Sequence, residues 1–197
     1  MVSLMSNLKH TIAIIAEDNT DCDTFRNIVH RVLGKQIKVK HWGANGCSTL
    51  KQKLPAKLKA MHDVGCDAFI IVHDLDRNPE NNSLNDEERL RQILEDASSN
   101  VKYISKYICI PIEELEAWFL SDPNVVQYIG RGKGSAHPNP HLVSKPKEYL
   151  IKLSIDEKRK PRYATNMNAE LIDRLDFDIC AQRCGAFKNL LDFLNSL

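Results

Sequence analysis

Short apolar runs alternate along the chain with segments whose apolar residues recur every three or four positions. The runs end in polar or acidic residues, a pattern typical of strands in a sheet. They predict strands near residues 11–16, 36–41, 67–73 and 107–112. The segments between them predict amphipathic helices over residues 21–34, 48–65 and 84–99. Asn85 is the expected cap of the third helix, and Pro55 is expected to break or kink the second.

This alternation of strands and helices predicts β-α-β units, which build parallel sheets. We therefore expect an α/β, Rossmann-like fold with a mainly parallel central sheet of about four strands flanked by helices, and a small C-terminal helical extension. Residues 1–122 are predicted to form the α/β domain and residues 123–165 a basic, Gly/Pro-rich insertion or loop. Residues 166–197 are predicted to form two short helices that pack on the same domain.

Acidic residues follow three of the four predicted strands at the point where each strand ends. They are Glu17 and Asp18, Asp74 and Asp76, and Glu113 and Glu114. Because ligands of parallel α/β sheets bind beyond the carboxyl ends of the strands, these side chains are expected to converge. Converging carboxylates repel one another unless a proton, a basic partner or a divalent metal relieves them. Oxygen-only ligands suit Mg²⁺ or Mn²⁺, so the pattern favours a metal site.

Asp74 and Asp76 are the most informative pair in this pattern. With Leu75 between them, both point to the same side of the chain if the strand extends through them, and both can face a cation near Glu17. His73 should point to the opposite face and is interpreted as a packed histidine rather than a base. The alternative for any single acid is a helix cap or a turn, where Asp is also favoured.

The segments IIAEDNTD and IIVHDLDRN, in this order, resemble the Toprim domain. This α/β module occurs in topoisomerases, primases, OLD-family nucleases and small RNA-maturation nucleases. Its signature is a Glu after the first strand and a D-x-D after the third, which correspond here to Glu17 and to Asp74 and Asp76. The segments IPIEELEAWFLSDP and RCGAFKNLLDFL resemble a family of small stand-alone, Toprim-like bacterial proteins, which extends the resemblance over most of the chain.

The resemblance implies that the acids bind one or two divalent ions and that a basic residue assists the scissile phosphate. It makes Glu17, Asp74 and Asp76 the expected catalytic residues and metal ligands. The further candidate ligands are Asp21, at a spacing where OLD-type enzymes carry another acid, Glu113, Asp18 and Glu116.

One position departs from the Toprim pattern. Toprim domains usually carry Gly directly after the first Glu, where the backbone turns closely under a phosphate, and this chain has Asp18 there. Asp18 either adds a metal ligand or marks a site that has lost activity.

A polyanionic partner needs cations beside the acids, and residues 130–163 are the strongly basic stretch of the chain. They include nine Lys or Arg residues against three acidic ones, whereas the net charge of the whole chain is only +1. Lys and Arg contacts to phosphates supply most sequence-independent affinity for nucleic acid. The candidate phosphate contacts are Arg77, Arg131, Lys133, Lys145 and Lys147. The alternative is a solvated, charged loop.

The remaining features narrow the class of protein. The segment GRGKGS is not a phosphate-binding loop, because Gly134 stands where Ser or Thr is required, so any ATPase partner is expected to be a separate polypeptide. The six cysteines form no C-x-x-C pair and are interpreted as reduced thiols of a cytoplasmic protein. No apolar run approaches the ~20 residues of a membrane span, so no membrane association is expected.

Two hypotheses of different classes follow. The first is a divalent-metal-dependent phosphodiesterase or nuclease of Toprim type, serving bacterial defence or nucleic-acid processing. The second is a non-catalytic Toprim-like subunit that binds nucleic acid or a partner ATPase. A D-x-D phosphohydrolase with an aspartyl nucleophile is disfavoured, because that chemistry starts from the first strand. The sequence leaves open whether the nucleic acid is DNA or RNA and whether the protein is a homodimer.

Overall fold

The computed structural model describes residues 10–102, 104–158 and 160–197, and its centre is a sheet of four parallel strands. The strands are β1 (Thr11–Ala16), β2 (Lys38–Gly43), β3 (Ala68–Val72) and β4 (Ser105–Cys109). Their order across the sheet is β2-β1-β3-β4, and every neighbouring pair is parallel. The predicted α/β fold with a parallel four-stranded sheet is confirmed.

Helices flank this sheet on both faces. In the described part of the chain they are α1 (Asn19–Leu33), α2 (Cys47–Asp63), α3 (Glu87–Ala97), α4 (Glu116–Phe119), α5 (Pro123–Ile129), α6 (Pro146–Leu153), α7 (Asn168–Ile172), α8 (Phe177–Arg183) and α9 (Gly185–Asn195). None of the helices so described is long and apolar enough to cross a membrane.

The alternation of side chains along β1 divides the core into two layers. Ile12 and Ile14 point to the face covered by α1 and the C-terminal helices, whereas Ala13 and Ile15 point to the face covered by α2 and α3. All four side chains are fully buried, which explains why the strand is a continuous apolar run. Helices α7 and α9 contact α1, so the C-terminal segment packs directly on the α/β layer.

Two local expectations need correction. Pro55 does not break α2 but lies inside it, because the buried face of Leu50, Leu54 and Leu58 packs on the sheet and outweighs the lost hydrogen bond. Asp86 rather than Asn85 caps α3, accepting a hydrogen bond from the backbone N–H of Arg89.

The segment predicted as a basic insertion or loop is partly helical. The insertion expected over residues 123–165 contains two helices, α5 and α6, each of which begins with a proline. Proline is favoured at that position because the first N–H of a helix has no partner within it. The C-terminal segment forms three helices, not two.

Gly43 allows the end of β2 to touch the start of α1. A Cβ atom at this position would lie 2.5 Å from the backbone of Asp18 and Asn19. This contact holds the first turn of α1 against the sheet at its carboxyl edge.

We predict that Gly43→Ala destabilises the protein by about 1–3 kcal/mol, because the backbone at the start of α1 has to move. Urea unfolding measures the change. Gly185→Ala is the matched control, since a Cβ there meets no atom within 4 Å. Equal stability of Gly43→Ala and the parent would show that the contact imposes no constraint.

Candidate metal centre

Carboxylates from three strand ends meet in one cleft at the carboxyl edge of the sheet. We call it the acid cleft; its volume is about 240 Å³. Its lining residues are Glu17, Asp18, Thr20, Asp21, Asp74, Asp76, Glu114, Glu116, Lys147, Thr165 and Asn168. The structure therefore brings together six of the seven acids singled out from the sequence, together with Glu114.

Glu17 and Asp74 are joined directly. The backbone N–H of Asp74 donates a hydrogen bond of 3.1 Å to Oε1 of Glu17. Nδ1 of His73 lies 3.2 Å from the same oxygen and 2.8 Å from the carbonyl oxygen of Asp74. Oε2 of Glu17 accepts no hydrogen bond from the described residues, so one carboxylate oxygen is fixed and the other is open.

Glu116 is held in the same manner from the other side of the cleft. It is only 4% exposed. Nδ2 of Asn168 donates a hydrogen bond of 3.0 Å to Oε1 of Glu116, and the hydroxyl of Tyr163 lies 3.2 Å from that oxygen. Within the part of the chain that the structure describes, Oε2 of Glu116 has no such partner. Fixed carboxylates with one open oxygen are suited to binding a cation through a single oxygen each.

Extended pairing beyond β3 places the two D-x-D acids. The N–H of Leu75 donates to the carbonyl oxygen of Pro111, and the N–H of Glu113 donates to that of Leu75. The chain therefore remains extended after Val72, and Asp74 and Asp76 both line the acid cleft while Leu75 is buried. Neither aspartate side chain forms a hydrogen bond or an ion pair with the described residues.

The acids raise one another's pKa. Burial, followed by the charges of Asp18 and Glu116, raises the pKa of Asp21 to about 8. Burial, then Asp21 and Glu17, raises the pKa of Asp74 well above its usual range. Burial also raises the pKa of Glu17, against the opposing effect of His73, and that of Glu116. A bound divalent cation would relieve this repulsion and favour the ionised forms.

His73 is buried, as predicted for a packed histidine, and its ring also contacts Glu17. Its Nε2 is buried without a hydrogen-bond partner among the described residues. The position of His73 directly before the D-x-D was the only sequence signal for this contact.

Of the two glutamates expected at the end of the fourth strand, Glu114 rather than the candidate ligand Glu113 lines the acid cleft. Glu113 has a left-handed backbone with φ of 64°, forms an ion pair with Arg77, and accepts a 2.9 Å hydrogen bond from the N–H of Lys145. These contacts occupy both of its oxygens, and it does not line the acid cleft. Glu114 lines it instead and lies 3.3 Å from Nζ of Lys147. The left-handed turn, which periodicity does not reveal, decides which glutamate faces the cleft.

Asp18 caps helix α1. Its side chain accepts a 2.9 Å hydrogen bond from the N–H of Asp21. Its φ of −143° is extended backbone that any residue adopts, so no glycine is required there. The cap interpretation therefore accounts for one of its oxygens, while its position at the rim leaves it available as a candidate ligand.

The basic residues divide into two groups. Lys147 lies in the acid cleft, where Glu116 and Glu114 raise its pKa although burial opposes them. Arg77 and Lys145 line an adjoining cleft. Nη2 of Arg131 lies 3.9 Å from Oδ2 of Asp156, and Lys133 is exposed. These two residues line neither the acid cleft nor the adjoining cleft. Only part of the basic segment therefore reaches the acids.

The donor set fits Mg²⁺ or Mn²⁺, because the open groups are oxygen atoms and most of them belong to carboxylates. As positioned, no three acidic, His or Cys side chains of the described residues already form a metal-binding group. The residues that could hold a cation are the acids of the cleft with an open oxygen, namely Glu17, Asp18, Asp21, Asp74, Asp76 and Glu116.

Residues 16–195 match a family model described as a domain of unknown function, DUF4276. The chain belongs to this family. The matched region contains every residue of the acid cleft. No curated protein and no solved structure matches the chain.

The raised acid pKa values predict that metal-free protein loses stability as pH rises from the usual Asp value of 3.8 towards about 8. In this window the folded state retains protons that the unfolded chain has released, so each increase in pH favours unfolding. Melting temperatures across a pH series with a chelator measure the decline. Asp21→Asn cannot ionise and should flatten it. Asp23 is exposed on the same helix, so Asp23→Asn should leave the decline unchanged. Identical pH profiles for the two variants would contradict the assignment of the decline to Asp21.

Proposed function

We propose that the protein is a divalent-metal-dependent phosphodiesterase of Toprim type that acts on nucleic acid. The observation that carries the proposal is the convergence of carboxylates from three strand ends, with open oxygens and raised pKa values, in one cleft. A structural role alone would favour neutral or paired groups in such a place, because unpaired buried charge is costly. The order of Glu17, Asp74 and Asp76 along the chain supports the Toprim assignment.

The residues divide the chemical work. A bound divalent ion supplies activation of water and stabilisation of the leaving oxygen. Glu17, Asp74 and Asp76 would hold it, with Asp21 and Glu116 as further ligands. The hydrogen bond from the N–H of Asp74 and the contact of His73 both engage Oε1 of Glu17, which leaves Oε2 available to a metal. Such second contacts fix the orientation of a ligand before metal arrives.

Lys147 is the best candidate for the basic group that the Toprim resemblance implies. It is half-buried among the acids, and its backbone N–H and Nζ both contact Glu114. This contact keeps the ammonium group in the cleft, where it can neutralise the non-bridging oxygens of a phosphate. Arg131 and Lys133, expected as phosphate contacts, would act only at a distance from the acids.

The second candidate is a non-catalytic subunit that binds nucleic acid or a separate ATPase. The observation in its favour is Asp18 in the place of the usual Gly. Because Asp18 serves as the cap of α1 with an ordinary backbone, the substitution has a structural explanation that does not require loss of activity. We therefore place the catalytic hypothesis first.

We expect Mn²⁺ to raise the melting temperature, since a ligand that binds only the folded state adds about 2.7 kcal/mol at a hundred times its Kd. The double variant Asp74→Asn with Asp76→Asn should show no such rise. Without metal it should melt at a higher temperature than the parent, because the repulsion between these carboxylates and their acidic neighbours is removed. The matched control is the double variant Asp173→Asn with Asp178→Asn. Both residues are exposed; Asp173 directly follows α7 and Asp178 lies in the first turn of α8. A rise that persists in the D-x-D variant would place the metal elsewhere.

Lys147→Met should lower the rate of nucleic-acid cleavage about a hundredfold while the Mn²⁺-dependent rise in melting temperature remains. Labelled single- and double-stranded DNA and RNA serve as substrates. Lys152→Met, exposed on the same helix, should cleave as the parent does. Binding of nucleic acid by the parent with no cleavage under any metal would favour the non-catalytic subunit.

A further inference from the structure

A second cleft opens on the other side of the D-x-D, between α2 and α3. We call it the α2/α3 cleft; its volume is about 350 Å³. It is lined by Lys51, His73, Asp74, Leu75, Asp76, Asn85, Asp86, Arg89, Leu90 and Ile93. Asp74 also lines the acid cleft, and Asp76 lines both of these clefts and the adjoining one that contains Arg77 and Lys145. The D-x-D therefore stands where three clefts meet.

Two cations, Lys51 and Arg89, line the α2/α3 cleft. Neither forms an ion pair among the described residues, although Asp74, Asp76 and Asp86 line the same cleft and the charge of Lys51 acts on Glu17. On the same helices Lys59 pairs with Asp63 and Arg91 with Glu87, whereas Lys53 and Lys57 of α2 form no ion pair among the described residues and lie outside this cleft. Unpaired cations beside a metal site are available for phosphate oxygens.

An apolar surface lies directly beside these cations. Ile93 lines the cleft and is 42% exposed. It is four residues after Arg89, so the two side chains share one face of α3. Leu90 and Leu75 complete the apolar part of the cleft. A cation and an apolar surface side by side match the two parts of a nucleotide, phosphate and base.

We propose that the α2/α3 cleft holds single-stranded nucleic acid, with Lys51 and Arg89 on successive phosphates and Ile93 against an unstacked base. The proposal rests on the proposed function of the acid cleft. A strand held there continues over Asp76 towards Lys147, so its scissile phosphate lies between cations on both sides of the acids. Single strands fit because their bases can contact side chains, whereas the bases of a duplex are stacked inside it.

Fluorescence anisotropy across a salt series tests this proposal. The probe is a labelled oligonucleotide of about 12 nucleotides, within the range of single-strand binding sites. Sulfur replaces a non-bridging oxygen of its phosphates to slow hydrolysis. The oligonucleotide is tested both as a single strand and as a duplex, in each case with Mg²⁺ present. Lys51→Ala with Arg89→Ala is compared with Lys38→Ala and Lys53→Ala, an exposed pair of equal charge outside the cleft.

The cleft variant should bind the single strand about tenfold more weakly or worse, with a salt slope smaller by about 1.4, since each phosphate contact to a single strand contributes about 0.7. The control pair should bind as the parent does. Ile93→Ser should weaken single-strand binding without changing the slope, because no charge is removed, and should leave duplex binding unchanged. Mn²⁺ should still raise the melting temperature of all these variants.

Equal effects of the cleft and control pairs, or an unchanged salt slope, would overturn this proposal while the proposed function stands. Equal sensitivity of the duplex to Ile93→Ser would overturn the assignment to single strands. A parent protein that is stabilised by Mn²⁺ but binds no nucleic acid would overturn both the proposed substrate and the role of this cleft.

Discussion

Electrostatic repulsion among carboxylates at one edge of the sheet is the constraint to which the surrounding structure responds. Six carboxylates from the strand ends and α1, together with Glu116, share a small cleft with one lysine. Burial strengthens their repulsion and raises the pKa of several of them. Such an arrangement is stable only because the sheet and its helices are held by a large apolar core.

The fold fixes these groups from several independent directions. β1 and β3 are adjacent in the sheet, which brings Glu17 to the backbone of Asp74. The segment after β4 continues beside the segment after β3 through the parallel pairing of Leu75 with Ile112 and supplies Glu114 and Glu116. Asn168, at the start of α7, then fixes Glu116 from the C-terminal part of the chain. The C-terminal helices thus contribute to the site as well as to the core.

Two glutamates illustrate how the arrangement would suit a cation. Oε1 of Glu17 and Oε1 of Glu116 are each held by groups of the protein, and the second oxygen of each remains open. By contrast, Asp122 uses both oxygens for backbone N–H groups, of Asn124 and Asp176, and is a structural acid. Open and occupied oxygens therefore separate candidate ligands from structural acids better than acidity or burial does.

The sequence by itself determined the α/β class, the parallel sheet and the convergence of Glu17, Asp74 and Asp76, because buried strands are continuous apolar runs and parallel strands end at one edge. It did not determine that Glu114, rather than Glu113, lines the acid cleft, because a left-handed turn at Glu113 makes that choice.

Only the tertiary structure decided which distant residues surround the acids. Three sets of neighbours depend on how strands and helices pack together. They are His73 beside Glu17, Asn168 hydrogen-bonded to Glu116, and Lys51 and Arg89 in one cleft with the D-x-D. The basic segment was visible in the sequence, but the packing of α6 brings Lys147 into the acid cleft and leaves Arg131 beside Asp156. Local sequence patterns record the period and the ends of elements, whereas contacts between elements far apart in the chain arise from packing.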